Sequence, residues 1–179
     1  LREVYGARPD GYTIGTANTV HYAKLMGLVP FDHHDMTVIG IPSGVVPTIM
    51  CSASRPWKSV GELVEYAKKH PGEVKAATTS KGAYWWLATK AFEKAAGIQM
   101  NVLAQPGGGA MVVTQVAGGH VDVGFAGLPE SRSQVQAGNI RLLAVFGRQR
   151  IPGYESLPTL IELGYKAEVV AILSLVAPK

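Results

Sequence analysis

Short apolar runs bounded by glycine or proline alternate along the chain with stretches in which apolar residues return every third or fourth position, the signatures of buried strands and amphipathic helices. From the amino end, Pro9-Asp10-Gly11 reads as a turn, Tyr12 to Ala17 as a short strand ending at Asn18, and Thr19 to Met26 as a weak helix. Pro30-Phe31-Asp32 breaks the pattern. Met36 to Ile41 is predicted as a strand ended by Pro42-Ser43-Gly44, and the apolar run Val45 to Cys51 follows at once, which places a hinge there. Ser59-Val60-Gly61-Glu62 is a capping-box sequence. The helix it opens buries Val60, Leu63, Val64 and Ala67, pairs Glu65 with Lys69, and stops at Pro71-Gly72.

The next span repeats one unit. Val74 to Thr78 reads as a strand, Thr79-Ser80-Lys81-Gly82-Ala83 as a small-residue loop, and the stretch to Ala96 as a helix closed by Gly97. Asn101 to Ala104, the loop Gln105-Pro106-Gly107-Gly108-Gly109 and a helix to Ala117 follow. Val121 to Phe125, the turn Ala126-Gly127-Leu128-Pro129 and a helix from Glu130 to Ala137 complete the series. Strands alternating with helices imply parallel pairing, so the loops at 79–83, 105–109 and 126–129 are expected at one sheet edge. There the first amides of each helix lack internal partners and carry partial positive charge, so an anion is the expected ligand, provided those N–H groups are free. Ile140 to Phe146 is a further strand, Pro158-Thr159 opens a short helix through Glu162, and Val169 to Val176 is the last strand, a second crossing between lobes.

Composition narrows the function. A hydrophobic fraction of 47% over 179 residues fills a core and argues against disorder. The net charge of +4 is scattered, with clusters only at Lys68-Lys69-His70 and Arg148-Gln149-Arg150, so no basic stripe for nucleic acid is present. Cys51 is alone, which excludes an internal disulfide, and it sits in an apolar run as a buried structural thiol. No apolar stretch is long enough for a membrane-spanning helix. The esterase elbow Gly-x-Ser-x-Gly and the P-loop are absent, and Gly107-Gly108-Gly109 meets Val112 where a dinucleotide fingerprint needs its last glycine. His33-His34-Asp35 and His120 with Asp122 have no evident third ligand, so they are read as exposed histidines; no metal and no cofactor are expected.

Taken in order, Pro9-Asp10-Gly11-Tyr12-Thr13, Pro30-Phe31-Asp32 with Asp35, Lys58-Ser59 with Glu62-Leu63, Ala67-Lys68 and Pro71-Gly72 carry a resemblance. So do Gly118-Gly119 with Val121-Asp122-Val123, Ala137-Gly138 with Arg141 to Val145, and Arg150 with Pro158-Thr159, Glu162 and Gly164-Tyr165. Along nearly its whole length the chain resembles the extracytoplasmic solute receptors of the tripartite tricarboxylate transporter family, the Bug or TctC-like proteins. The resemblance implies an α/β, type II periplasmic-binding-protein fold, with partial lobe 1 over 1–44 and 165–179 and lobe 2 over 45–164. It also implies a first strand before Leu1 and further helices after Lys179, a first lobe therefore incomplete, and a periplasmic or otherwise extracytoplasmic location with the signal peptide outside this sequence.

The chain departs from the family at informative places. Ser80-Lys81-Gly82-Ala83 stands for Gly-x-Gly-Ser or Gly-x-Gly-Thr, and Gln105-Pro106-Gly107-Gly108 for Tyr-Lys-Gly. Phe125-Ala126 stands for a Phe-Asp pair whose carboxylate would hold a ligand amine, and Trp86 for a histidine. The expected function is capture of a small carboxylate by Thr78, Thr79, Ser80, Lys81, Gly82 and Ala83, with Gln105, Gly107, Gly108 and Ala126 beside them and Thr16, Ala17 and Asn18 from the other lobe. The expected partners are the ligand and membrane transporter subunits, and the protein is expected to be a non-enzyme and monomeric. A sensing module of the same fold and a small α/β enzyme are the alternatives.

Overall fold

The structure, a computed structural model, describes the backbone of residues 1–179 and every side chain but that of His21. Its helices follow the apolar spacing. After α1 (Arg2–Gly6) and α2 (Val20–Leu25), α3 (Val60–Lys69) buries the stripe of Val60, Leu63, Val64 and Ala67 and carries the Lys69–Glu65 pair at 2.7 Å on its wet face. The Ser59 hydroxyl accepts the Glu62 N–H at 3.2 Å, but the Glu62 carboxylate reaches past Ser59 to the Lys58 N–H at 2.8 Å, so the box closes one residue early. Next come α4 (Tyr84–Ala96), ended by Gly97 in the left-handed region, α5 (Gly108–Ala117) and α6 (Leu128–Gln136).

The strands are β1 (Gly15–Thr16), β2 (Met36–Val45), β3 (Pro47–Ser52), β4 (Lys75–Thr79), β5 (Asn101–Gln105), β6 (Val123–Gly127), β7 (Ile140–Val145) and β8 (Ala171–Pro178). Two compact units result: unit 1 is Leu1–Val45 with Ala171–Lys179, and unit 2 is Val46–Val170.

Unit 1 has a three-stranded antiparallel sheet in the order β1-β8-β2 over a core of Val4, Ala17, Val20, Phe31, Met36 and Val176. Tyr5 stacks on Phe31 at 4.2 Å. β1 is shorter than predicted because Tyr12 and Ile14 face solvent and make no ladder. β2 is longer, running through Pro42-Ser43-Gly44; it lies at the sheet edge and is interrupted by register shifts, where a proline is tolerated.

Unit 2 has a five-stranded sheet ordered β5-β4-β6-β3-β7. β4 runs parallel to β5 and β6, while β3 is antiparallel to both β6 and β7. β7 therefore gains its partner from the incoming strand and not from a parallel neighbour; an apolar run such as 45–51 carries no information on direction. One face of the sheet packs Ala76 and Phe125 against Phe92 and Ala88 of α4 and Leu63 of α3. The other packs Ala77 and Met50 against Val112 and Val116 of α5. Gly124 lets α5 lie close, since a Cβ there would meet the methyls of Val112 and Val116.

Asp122 aligns the starts of β4 and β6. Its carboxylate accepts the Lys75 N–H at 2.7 Å, its own N–H donates to the Lys75 carbonyl at 2.9 Å, and Arg55 pairs with its other oxygen. The helix predicted over 158–162 is instead a turn. Thr159 and Glu162 cap each other reciprocally while Val145 bridges to Thr159, which holds the backbone extended. Residues 165–170, read from sequence with the first lobe, belong to unit 2, where Tyr165 packs on Phe92 at 5.9 Å and the Val169 N–H bonds the Phe146 carbonyl at 3.4 Å.

Candidate functional site

Parallel pairing brings three strand ends to one edge of unit 2. Thr79 stands opposite Gln105 and Ala77 opposite Gly124, so Thr79 and Ala126 lie two residues beyond that pair on neighbouring strands. From this edge the chain enters α4 after Ala83, α5 after Gly107 and α6 after Gly127, and none of these three helix starts is capped by the side chain of its own N-cap residue. Gly82, Gly107 and Gly108 have φ of 82°, 111° and 74°, conformations that need glycine and that turn the backbone tightly into the helices. Three positive helix ends thus share the edge with the predicted loops.

Two hydroxyls of β4 add to them. Thr78 is fully buried and Thr79 is 6% exposed, and the Oγ1 atoms of both have no hydrogen-bond partner. A buried hydroxyl left unpaired costs roughly 1–3 kcal/mol, so two at the end of one strand mark a place where the protein has forgone stability. Side chains alternate along a strand, which sets Thr78 on the Ala76 side with α4 and Thr79 on the Ala77 side with α5. Ser80 and Lys81 are exposed, Ala83 and Gln105 half-buried, Gly82 and Ala126 buried, and Gly107 and Gly108 exposed. In unit 1, Thr16 and Asn18 are exposed, while Ala17 is buried with its N–H given to the Ser174 carbonyl at 3.0 Å. That amide is spent on the sheet.

The expectation of free amides at the edge requires a correction. Glu130, in the first turn of α6, places its carboxylate among the loops: it accepts the Gly127 N–H at 2.5 Å, and the Gly109 N–H and the Trp85 indole lie close enough to draw its pKa down. A methyl on Gly109 would overlap that carboxylate. Partial burial pushes the Glu130 carboxyl above its ordinary pKa, against the opposing pull of these three donors. From the sequence Gly109 was expected at this edge only as part of the loop 105–109, and Glu130 and Trp85 were not placed in the site. The signal available was an acidic residue three positions after a helix-capping glycine, which reads as helix capping alone.

Elsewhere, Asp32, His33 and His34 hold three potential ligand atoms within 4.8 Å of one another, but the Asp32 carboxylate is engaged by Lys24 Nζ at 2.7 Å and the His34 N–H at 2.8 Å. Cys51 is buried, with its Sγ 3.6 Å from the Trp57 carbonyl and its pKa raised by burial. Surface depressions near Tyr154 and Leu157 and near Trp57 and Glu73 are lined by residues away from the three turns. Among the described residues no helix is long and apolar enough to cross a membrane.

The chain is similar to known proteins in sequence and in fold. The chain is 27% identical over 176 residues to protein BugT of Bordetella pertussis, covering 95% of this chain and 54% of that protein. It spans about half the length of the curated relatives it matches. Among solved structures, the periplasmic binding protein BugD superposes with a TM-score of 0.87 at 27% identity, over 99% of this chain and 60% of that one. An R. palustris protein solved with adipate does so with a TM-score of 0.85 at 29% identity, over 98% and 60%. These matches show the periplasmic-binding-protein fold of the α/β class. The model of the tripartite tricarboxylate transporter family receptor matches residues 1–179, and the chain belongs to that family.

Proposed function

We propose that this chain acts as an extracytoplasmic, periplasmic solute receptor that captures a small carboxylate and delivers it to a tripartite tricarboxylate-type membrane transporter. The observation that carries the ligand class is the pair of buried, unpartnered hydroxyls of Thr78 and Thr79 at a strand end flanked by helix N-termini. A carboxylate accepts what these groups donate. Thr79 and the turn Ser80–Ala83 hold it, and Gln105, Gly107, Gly108 and Ala126 line the approach. The solved relative with adipate supports this class of ligand. Each helix end contributes about 0.3–1 kcal/mol when exposed, up to about 2 when partly buried, so measurable affinity needs the hydroxyls as well.

The test is calorimetry of the protein against acetate, succinate, malate, aspartate and adipate. Binding of at least one with a Kd below millimolar is expected. Absence of heat and of thermal stabilisation with all five refutes the carboxylate assignment.

A further inference from the structure

Glu130 performs more than helix capping. Its bond to Gly127 is the ordinary reach-back of a first-turn glutamate, but Gly109 belongs to α5 and Trp85 to α4, so the carboxylate ties together the starts of all three helices. One hydrogen bond from Gly127 and two further donors close by leave part of a carboxylate's roughly four acceptor positions open. Among the described residues no ion pair involves Glu130, so its negative charge is met by neutral donors and helix ends alone. The unpartnered hydroxyl of Thr79 faces the same side of the sheet as α5, whose first turn supplies Gly109. A ligand carboxylate brought here meets a resident carboxylate, and like charges at close range oppose one another. A ligand donor meets an acceptor with capacity to spare.

We infer that Glu130 is the specificity-determining residue of this receptor: it occupies the anion position of α5 and α6, directs the ligand carboxylate to the β4–α4 turn, and selects ligands that carry an ammonium or hydroxyl donor beside that carboxylate. This inference rests on the receptor reading above. A raised carboxyl pKa is consistent with a buried charge awaiting a donor.

The test compares aspartate, malate and succinate, which share a four-carbon backbone and differ at one substituent, by calorimetry on the wild type, Glu130→Gln and Gly109→Ala. The wild type is expected to bind aspartate or malate at least tenfold more tightly than succinate. Glu130→Gln removes the charge, and Gly109→Ala keeps the carboxylate while displacing it, so each is expected to reduce that ratio at least tenfold. Circular dichroism checks that each variant is folded, and Gly109→Ala stands in where Glu130→Gln does not fold. Equal ratios in the wild type and in a folded variant overturn the inference, as does a wild type that prefers succinate, and in both cases the receptor reading stands. Failure of the wild type to bind aspartate, malate and succinate overturns the inference, and failure with all five acids named above overturns both.

Discussion

Replacing Thr79 by valine separates stability from binding. The two side chains have nearly the same volume, so the substitution exchanges a hydroxyl for a methyl at a site only 6% exposed, where Oγ1 has no partner. Removing an unpaired buried hydroxyl is expected to stabilise the unliganded protein by about 1–3 kcal/mol. For a chain of this length each kcal/mol moves the midpoint by about 2–4 °C, so Tm rises by at least about 2 °C. The same hydroxyl, donating to a ligand carboxylate, is worth about 1.5–3 kcal/mol. With 1.4 kcal/mol to each factor of ten, Thr79→Val is expected to weaken carboxylate binding by roughly 10- to 150-fold. Differential scanning calorimetry without ligand and isothermal titration with the best-bound acid measure the two effects. Thr78→Val, on the opposite face, is expected to give the same stability gain. A lower Tm together with unchanged affinity for Thr79→Val would refute the reasoning, since the hydroxyl would then serve the fold and not the ligand.

Two further expectations concern the same unit. Burial raises the Glu130 carboxyl above its unfolded value of 4.5, so the native state binds the proton more tightly; stability is highest below pH 4.5 for this group and declines as pH rises through the folded value. Glu130→Gln removes that decline, and urea unfolding across the acidic range shows it as a flatter profile; an unchanged profile rejects the assignment. Gly124→Ala forces a methyl into the side chains of Val112 and Val116 and is expected to cost about 1–3 kcal/mol, read as a lower denaturation midpoint; an unchanged midpoint means α5 shifts freely.

What was legible from sequence was local. Ser59 and Gly97 mark the ends of α3 and α4 because capping and left-handed closure are requirements of a few neighbouring residues. The β4–α4–β5 repeat and its shared edge followed from alternation and handedness. The orientation of β3 did not, because apolar residues buried on both faces look alike in either direction. Nor did the continuation of β2 through Pro42, which depends on that strand lying at an edge. The role of Glu130 was illegible for a related reason: Trp85, Gly109 and Gly127 become neighbours only once β4, β5 and β6 are side by side.

The placement of β3 bears on how unit 2 is made. It is the earliest strand of that unit to be synthesised, yet both of its neighbours, β6 and β7, are encoded far downstream. The β4–α4–β5 segment can assemble on its own contacts, whereas β3 keeps both edges bare until β6 docks and one edge bare until β7 does. Its apolar sequence is therefore the exposed strand edge of the incompletely folded chain, and aggregation during refolding is expected to fall when a polar residue is placed on it.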